Sequence, residues 1–260
     1  MKLRALADVL FKVRLEGDGE IQISGIEMDS RKVKPGDLFV CIRGKRFDGH
    51  QYAEEALQNG AAALLVQERL PVDAPQLIHE DTRYAMAAIA SHFYGFPSSR
   101  LKLIGITGTN GKTTTASLIE QILVSQNKKA GLMGTIQMKI GNDIYAVNNT
   151  TQEAHILQRS FRQMIDSGAE YCVMEVSSHA LEFGRVIGCD FRTAVFTNLS
   201  QDHLDFHGTM ENYLAAKGLL FSRLGNAFVA DRGRQKYAVL NADDPASREL
   251  SKLTAAHIIT

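Results

Sequence analysis

Acidic and basic side chains cancel in this 260-residue sequence, with 29 Lys and Arg against 29 Asp and Glu. A chain without net charge offers no electrostatic footprint for nucleic acid. No apolar run approaches the roughly 20 residues that cross a bilayer, and the longest have charges nearby, which argues against membrane insertion. The opening stretch, MKLRALADVLFKVRLEGDGE, lacks an uninterrupted apolar h-region and a small-residue cleavage site. Its Leu3, Leu6, Leu10 and Val13 instead fit a short amphipathic helix. Cysteine is scarce: Cys41, Cys172 and Cys189 are odd in number, without metal-type spacing, and set in apolar surroundings. Buried, reduced thiols are expected. Low-complexity segments and repeats are also missing. A soluble cytoplasmic protein fits these absences, and 45% hydrophobic residues supply core for more than one average domain.

What is present is an alternation of apolar strands and helices. Strands are expected at LFVCIR (38–43), AAALLV and PQLIHE, with helices at YAEEALQNG (52–60) and TRYAMAAIASHFYG. FPSSR reads as a linker, so a boundary near Ser98 divides the chain into domains 1–98 and 99–260. Beyond it come a strand at LKLIGIT and a helix at KTTTASLIEQILVSQ with Leu118, Ile122 and Leu123 on one face. A hairpin is expected around Gly141-Asn142, a helix at QEAHILQRSFRQMIDSG, and near-continuous apolar strands at YCVMEVS and FRTAVFTNL. The helix MENYLAAKGLLFSRL, the strand YAVLNADD, a short helix and the strand-like HIIT follow. Apolar strands separated by helices predict a small N-terminal α/β domain followed by a mostly parallel, doubly wound sheet of P-loop type. The apolar HIIT reads as a buried strand, which suggests that the central domain is incomplete.

The most chemically explicit stretch is LIGITGTNGKTTT (103–115). Gly108, Thr109, Asn110, Gly111, Lys112, Thr113 and Thr114 lie between an apolar strand and a helix. Glycines there let backbone N–H groups approach an anion, the helix start adds partial positive charge, and Lys112 adds a full one. Thr113 places a hydroxyl where it can ligate magnesium. The strict P-loop spacing asks for glycine at position 106, which is Ile106. The surrounding strand, turn and helix still favour a phosphate site over an ordinary glycine turn with a solvated lysine.

Three further features suit the same chemistry, each with a simpler alternative. Glu175 closes an apolar strand, where open α/β sheets bind ligands and a carboxylate meets the metal of ATP. It can equally be a strand end facing solvent. TNLSQDHLDFHG gathers Asp202, His203, Asp205 and His207 for a metal or a proton transfer, or merely for local capping. Lys217 falls among Leu214, Leu220, Phe221 and Leu224 on one helical face. A buried amine is driven neutral and can take up carbon dioxide as a carbamate, a two-oxygen anion suited to magnesium. Spacing alone leaves snorkelling the simpler reading.

Six stretches occur in the order and approximate spacing of the Mur ligases: GITGTNGKTTT, NNTT, MEVSSHALEFGRV, FTNLSQDHLDFHG, YLAAKGLLF and LNADD. The front end, IEMDSRKVKPGDLFVCIRGKRFDGHQYAEEALQNGAAALLV, resembles the N-terminal domain of the branch that adds the third amino acid. The resemblance implies a cytoplasmic ligase of cell-wall precursor synthesis. ATP would phosphorylate the terminal carboxylate of UDP-N-acetylmuramoyl-dipeptide, and the amine of a diamino acid would displace phosphate. It implies that Lys112 holds the β/γ-phosphates and that Thr113 and Glu175 hold a first Mg²⁺. His203 would take a second, positioned by carbamylated Lys217. It assigns Ser30, Lys45 and Arg46 to the uridine nucleotide, and Thr150, Thr151, Ser177 and Arg185 to the muramoyl-peptide. Many relatives carry proline after the NTT motif, where this chain has Gln152.

The resemblance also implies a C-terminal amino-acid-binding domain that these residues lack, so little turnover is expected of them alone. Meso-diaminopimelate is expected over lysine, by analogy with ligases of rod-shaped, spore-forming bacteria. Two other readings compete: a folate polyglutamate or cyanophycin-type ligase on the same ATPase framework, and a non-catalytic nucleotide-binding module.

Overall fold

The computed structural model describes residues 1–44, 47–226 and 231–260. It contains two compact units, Met1–Phe96 and Pro97–Thr260. The expected linker is a 3₁₀ turn, Pro97–Arg100. Its Ser98 is buried and donates from Oγ to the Gly188 carbonyl at 3.0 Å, which ties the turn to the second unit. The division falls between Phe96 and Pro97.

The first unit runs α1 (Leu3–Ala7), β1 (Arg14–Glu16), β2 (Gly25–Glu27), β3 (Asp37–Val40), α2 (Ala53–Gln58), β4 (Ala63–Val66), β5 (Gln76–Ile78) and α3 (Thr82–Phe93). Its sheet has the order β1-β5-β4-β3-β2, with β1 antiparallel to β5 and the other neighbours parallel. Every residue of β3 and β4 is buried, which is why both read as unbroken apolar runs. The N-terminal helix is shorter than the spacing from Leu3 to Val13 suggested. It ends at Ala7, Lys12 turns with φ 58°, and Arg14 enters β1. Asp81 starts α3 by accepting from the amides of Arg83 and Tyr84.

The second unit runs β6 (Lys102–Thr107), α4 (Lys112–Ser125), β7 (Ala130–Met133), β8 (Met138–Ile140), β9 (Asp143–Tyr145), α5 (Ala154–Asp166), β10 (Tyr171–Glu175), α6 (Ser178–Glu182) and β11 (Phe191–Phe196). It continues with α7 (Leu204–His207), α8 (Met210–Ser222), β12 (Tyr237–Leu240), α9 (Ala246–Lys252) and β13 (His257–Ile259). The sheet order is β13-β12-β11-β6-β10-β7-β8-β9, parallel from β13 to β7, with the β8–β9 hairpin added antiparallel.

Strand alternation sends successive residues of β6 and β10 to opposite faces. Leu103, Cys172 and Met174 pack with Leu157 and Phe161 of α5, Leu181 of α6 and Phe221 of α8. Ile104, Ile106 and Val173 pack with Ala116, Ile119 and Leu123 of α4. Leu118 and Ile122 do not share that contact with Leu123. They are 54% and 62% exposed, because the face of α4 that meets the sheet is set by Ala116, Ile119 and Leu123. HIIT is likewise not a buried strand: all of β13 is exposed, at the sheet's edge. All three cysteines are free, with Cys41 and Cys172 buried and Cys189 half-buried. Burial raises the thiol pKa values of Cys41 and Cys189 to about 12, so they are inert. Among the described residues no helix is long and apolar enough to cross a membrane.

Candidate active site

The carboxyl ends of β6, β10 and β11 lie side by side, and their following loops carry the singled-out side chains. After β6 the chain turns at Gly108, with φ 147°, and Gly111, with φ 85°, before Lys112 opens α4. A Cβ on Gly108 would collide with Thr197 Oγ1 and lie 3.1 Å from the Asn198 backbone. Only glycine fits, because the loop is pressed against the segment after β11. That segment clamps it. Thr109 N donates to Asn198 O at 2.8 Å, Asn110 N donates to Asn198 Oδ1 at 3.0 Å, and Thr197 Oγ1 donates to Asn110 O at 2.7 Å.

Two lysines converge on this turn. Lys112 Nζ donates to the carbonyls of Gly108 (2.9 Å) and Thr109 (2.8 Å). Lys217 Nζ, reaching from α8, donates to the same Gly108 carbonyl at 2.9 Å. Lys217 is 1% exposed, so its amine is not in water and snorkelling is ruled out. Its Nζ sits 4.1 Å from the centroid of the Tyr213 ring, an electrostatically favourable seat for a cation. Burial nevertheless lowers Lys217 to about 7, with the neighbouring charge of Lys112 adding to the effect and Asp202 opposing it. Burial also lowers Lys112, against the pull of Glu175 and Asp202.

Glu175 is 1% exposed and fully engaged. Its carboxylate accepts from Thr113 Oγ1 at 2.9 Å, from Thr135 N at 2.8 Å and from Thr135 Oγ1 at 3.1 Å. The second residue of α4 and the end of β10 thus meet as a hydroxyl–carboxylate pair. These are hard oxygen donors of the kind magnesium prefers, and the pair fits the first Mg²⁺ expected from sequence. Thr114, on the same helical turn, is exposed.

His203 lies elsewhere in the cluster. It is half-exposed, with φ 53°, and starts α7. Its ring meets His179 at 4.9 Å and Tyr213 at 6.0 Å, and its Nε2 is 3.5 Å from Asp202 Oδ2. Among the described residues no group of three His, Cys, Asp or Glu side chains is placed to hold a metal. The Lys217 amine is directed to Gly108. His207, from the same motif, is buried and bonds through Nε2 to Ser178 Oγ at 2.9 Å, a local structural role. Burial lowers both His179 and His207.

The residues expected to touch a muramoyl-peptide form a second knot beside Glu175. Thr151 is buried and donates to the Glu175 carbonyl at 2.9 Å while accepting from Ser177 N at 3.1 Å. Arg185 Nη1 donates to Thr151 O at 3.1 Å, and its Nε lies 2.8 Å from Glu153. Thr150 is half-buried and meets Thr135 Oγ1 at 3.1 Å. Gln152, where proline was expected, ties back through Nε2 to Asn149 O at 2.7 Å, so a side-chain bond restrains this loop. In the first unit Ser30 is buried after its neighbour Asp29 accepts from Arg31 N. The assignments to Lys45 and Arg46 lie outside the described residues.

Thr135, Tyr213, Thr197 and Asn198 were not singled out from sequence. Thr135 follows β7, a strand not expected from the pattern; the only signal was a Gly-Thr pair after an apolar triplet. Tyr213 sits one helical turn before Lys217, a spacing that places both on one face.

Two family descriptions match the chain: "Mur ligase middle domain" over residues 106–260 and "Mur ligase family, catalytic domain" over residues 22–94. The chain is 54% identical over 260 residues to the UDP-N-acetylmuramoyl-L-alanyl-D-glutamate–2,6-diaminopimelate ligase of Geobacillus kaustophilus, covering all of this chain and 53% of that protein. It is 49% identical to the enzyme of the same name from Bacillus cereus, covering 52% of it. A solved structure bearing that enzyme name superposes with TM-score 0.80 at 31% identity, over 100% of this chain and 52% of the other. The chain spans about half the length of the curated relatives it matches.

Proposed function

This chain belongs to the Mur ligase family, and on that premise we propose that it forms the nucleotide- and UDP-sugar-binding part of an ATP-dependent amide-forming ligase. The substrates we assign are UDP-N-acetylmuramoyl-L-alanyl-D-glutamate and 2,6-diaminopimelate, the pair named in the relatives, and we place the reaction in the cytoplasm. The observation that carries the reading is the convergence of Lys112 and Lys217 on Gly108, with the Thr113–Glu175 pair beside it.

A carboxylate is a poor acyl donor until phosphate makes it one. The chemistry brings two anions together, so cationic groups must be in place first. Lys112 leaves its loop carbonyls for the β/γ-phosphates, and the amides at the start of α4 hold the phosphate oxygens. Thr113 and Glu175 are the residues that would hold magnesium, which supplies charge neutralisation when bound. We assign Thr150, Ser177 and Arg185 to the dipeptide end of the sugar nucleotide. Lys217, near neutral at physiological pH, adds carbon dioxide: the N–C bond forms and one proton leaves to solvent. The remaining N–H keeps its bond to Gly108. His203 would hold a second Mg²⁺, with the Lys217 carbamate positioning it.

Thermal-shift and calorimetric titrations test the proposal. Mg·ATP and UDP-N-acetylmuramoyl-dipeptide are expected to bind saturably and folate not at all. Lys112→Ala is expected to abolish the nucleotide response while the melting temperature is kept. A folate response, or none to either cell-wall ligand, overturns the assignment. Incubation with ¹³C-bicarbonate is expected to give one carbamate resonance that Lys217→Ala removes.

A further inference from the structure

At the far end of α4 from the glycine turn lies a groove of about 750 Å³, between that helix and the β8–β9 hairpin. Val124, Lys128, Lys129, Lys139, Asn142 and Ile144 line it. Its floor includes Ala130, the first residue of β7, so it opens at the strands' amino ends. Glu175 and Thr113 sit at the other end, and the 14 residues of α4 rise about 21 Å between them. None of the residues assigned to nucleotide, metal or sugar contributes to this groove.

Its two ends differ in character. Val124 and Ile144 are 52% and 65% exposed, which leaves apolar surface on both walls. In the β8–β9 register Ile144 stands opposite Lys139, so both project toward α4. Three lysines gather around this surface. Lys139 is paired with Glu120 at 3.3 Å and Lys128 with Glu170 at 3.7 Å. Lys129 has no carboxylate partner among the described residues. Two carboxylates against three ammonium groups leave a surplus positive charge, with Asn127 and Asn142 beside it as neutral donors. The volume lies in the range of small-molecule sites.

We propose that this groove binds a small amphipathic oxyanion, an aryl or alkyl body ending in a carboxylate or phosphate. The body lies between Val124 and Ile144, and the head group meets Lys128 and Lys129. Lysine serves either head group as a point charge, so the two share one chemistry here.

The test is a set of ¹H–¹⁵N correlation spectra of the 260-residue chain titrated with phenylbutyrate, phenyl phosphate and neutral phenylbutanol. At least one anion is expected to shift the amides of residues 124–130 and 139–144 saturably, and the tighter of the two names the head group. The K128A/K129A double variant is expected to weaken binding about tenfold, the effect of losing a charge-assisted contact. Both lysines are exposed, so the variant is expected to melt with the unaltered chain. The proposal fails if phenylbutanol binds as tightly as the anions, if the double variant keeps full affinity, or if these amides stay fixed at millimolar anion.

Discussion

Lys112 and Lys217 donate to one acceptor, each lying 2.9 Å from the Gly108 carbonyl oxygen. Among the described residues neither has a carboxylate in hydrogen-bond contact, so neutral carbonyls, of Gly108 for both and of Thr109 for Lys112, receive the two amines. Lys217 carries most of the consequence and falls from 10.5 to about 7.

That shift makes stability depend on pH with a definite sign. In the unfolded chain Lys217 keeps its proton up to about 10.5, and in the folded chain it gives it up near 7. Between those values the unfolded state binds the extra proton, so stability rises with pH across the window and the full penalty stands below it. The difference is on the order of 5 kcal/mol. Lys217→Met keeps the apolar stem and removes the charge. In CO₂-free buffer it is expected to raise the melting temperature, by more at about pH 6 than at about pH 9.5. Equal gains at both would show that no proton is linked to folding here.

Glu175 accepts three hydrogen bonds from Thr113 and Thr135, all from donors. In Glu175→Gln the side-chain oxygen can keep the Thr135 amide, but its NH₂ then faces the Thr113 and Thr135 hydroxyls, which must turn from donating to accepting. The variant is expected to stay folded at a cost of about 1–3 kcal/mol. Calorimetry with ADP is expected to show magnesium no longer strengthening binding, a loss of about tenfold or more. Unchanged magnesium dependence would separate Glu175 from the metal.

Sequence reading found this centre unevenly. The strand–glycine turn–helix around Gly108 to Lys112 is local, so its geometry was legible from residue types alone. Lys217 was ambiguous, because helical spacing says which face a residue occupies but not what lies opposite. Burial under Tyr213 and against Gly108 is a tertiary fact. Thr135 was invisible for the same reason: β7 is only Ala130–Met133, too short to give a period. Leu118 and Ile122 misled because an apolar stripe shows which residues prefer burial, while the sheet buries only what it covers. In the first unit β3 and β4 were legible, being buried on both faces, whereas the three-residue β1 and β2 left no pattern.

Gly108→Ala tests the clamp on the glycine turn. The new Cβ would meet Thr197 Oγ1 in a backbone conformation that side chains avoid. A loss of about 1–3 kcal/mol is expected from strain and overpacking. Adding Thr197→Ala removes the colliding atom and is expected to return part of that loss in chemical denaturation. It leaves nucleotide binding impaired, because the Thr197–Asn110 bond is gone too. Strict additivity of the two changes would mean that the segments are not coupled.

Adjacent threonines are expected to behave oppositely. Thr151 spends its hydroxyl inside the protein, bridging the Glu175 carbonyl and the Ser177 amide. Thr151→Val keeps its shape but strands both groups, so a stability loss of about 1–3 kcal/mol is expected. Thr150 is half-buried, with its hydroxyl beside Thr135. Thr150→Ala is expected to move stability by no more than about 0.5 kcal/mol. It is also expected to weaken UDP-N-acetylmuramoyl-dipeptide binding about tenfold, read by calorimetry. If Thr150→Ala leaves that affinity unchanged, the sugar nucleotide does not reach Thr150, and the contribution of this loop to binding passes to Ser177 and Arg185.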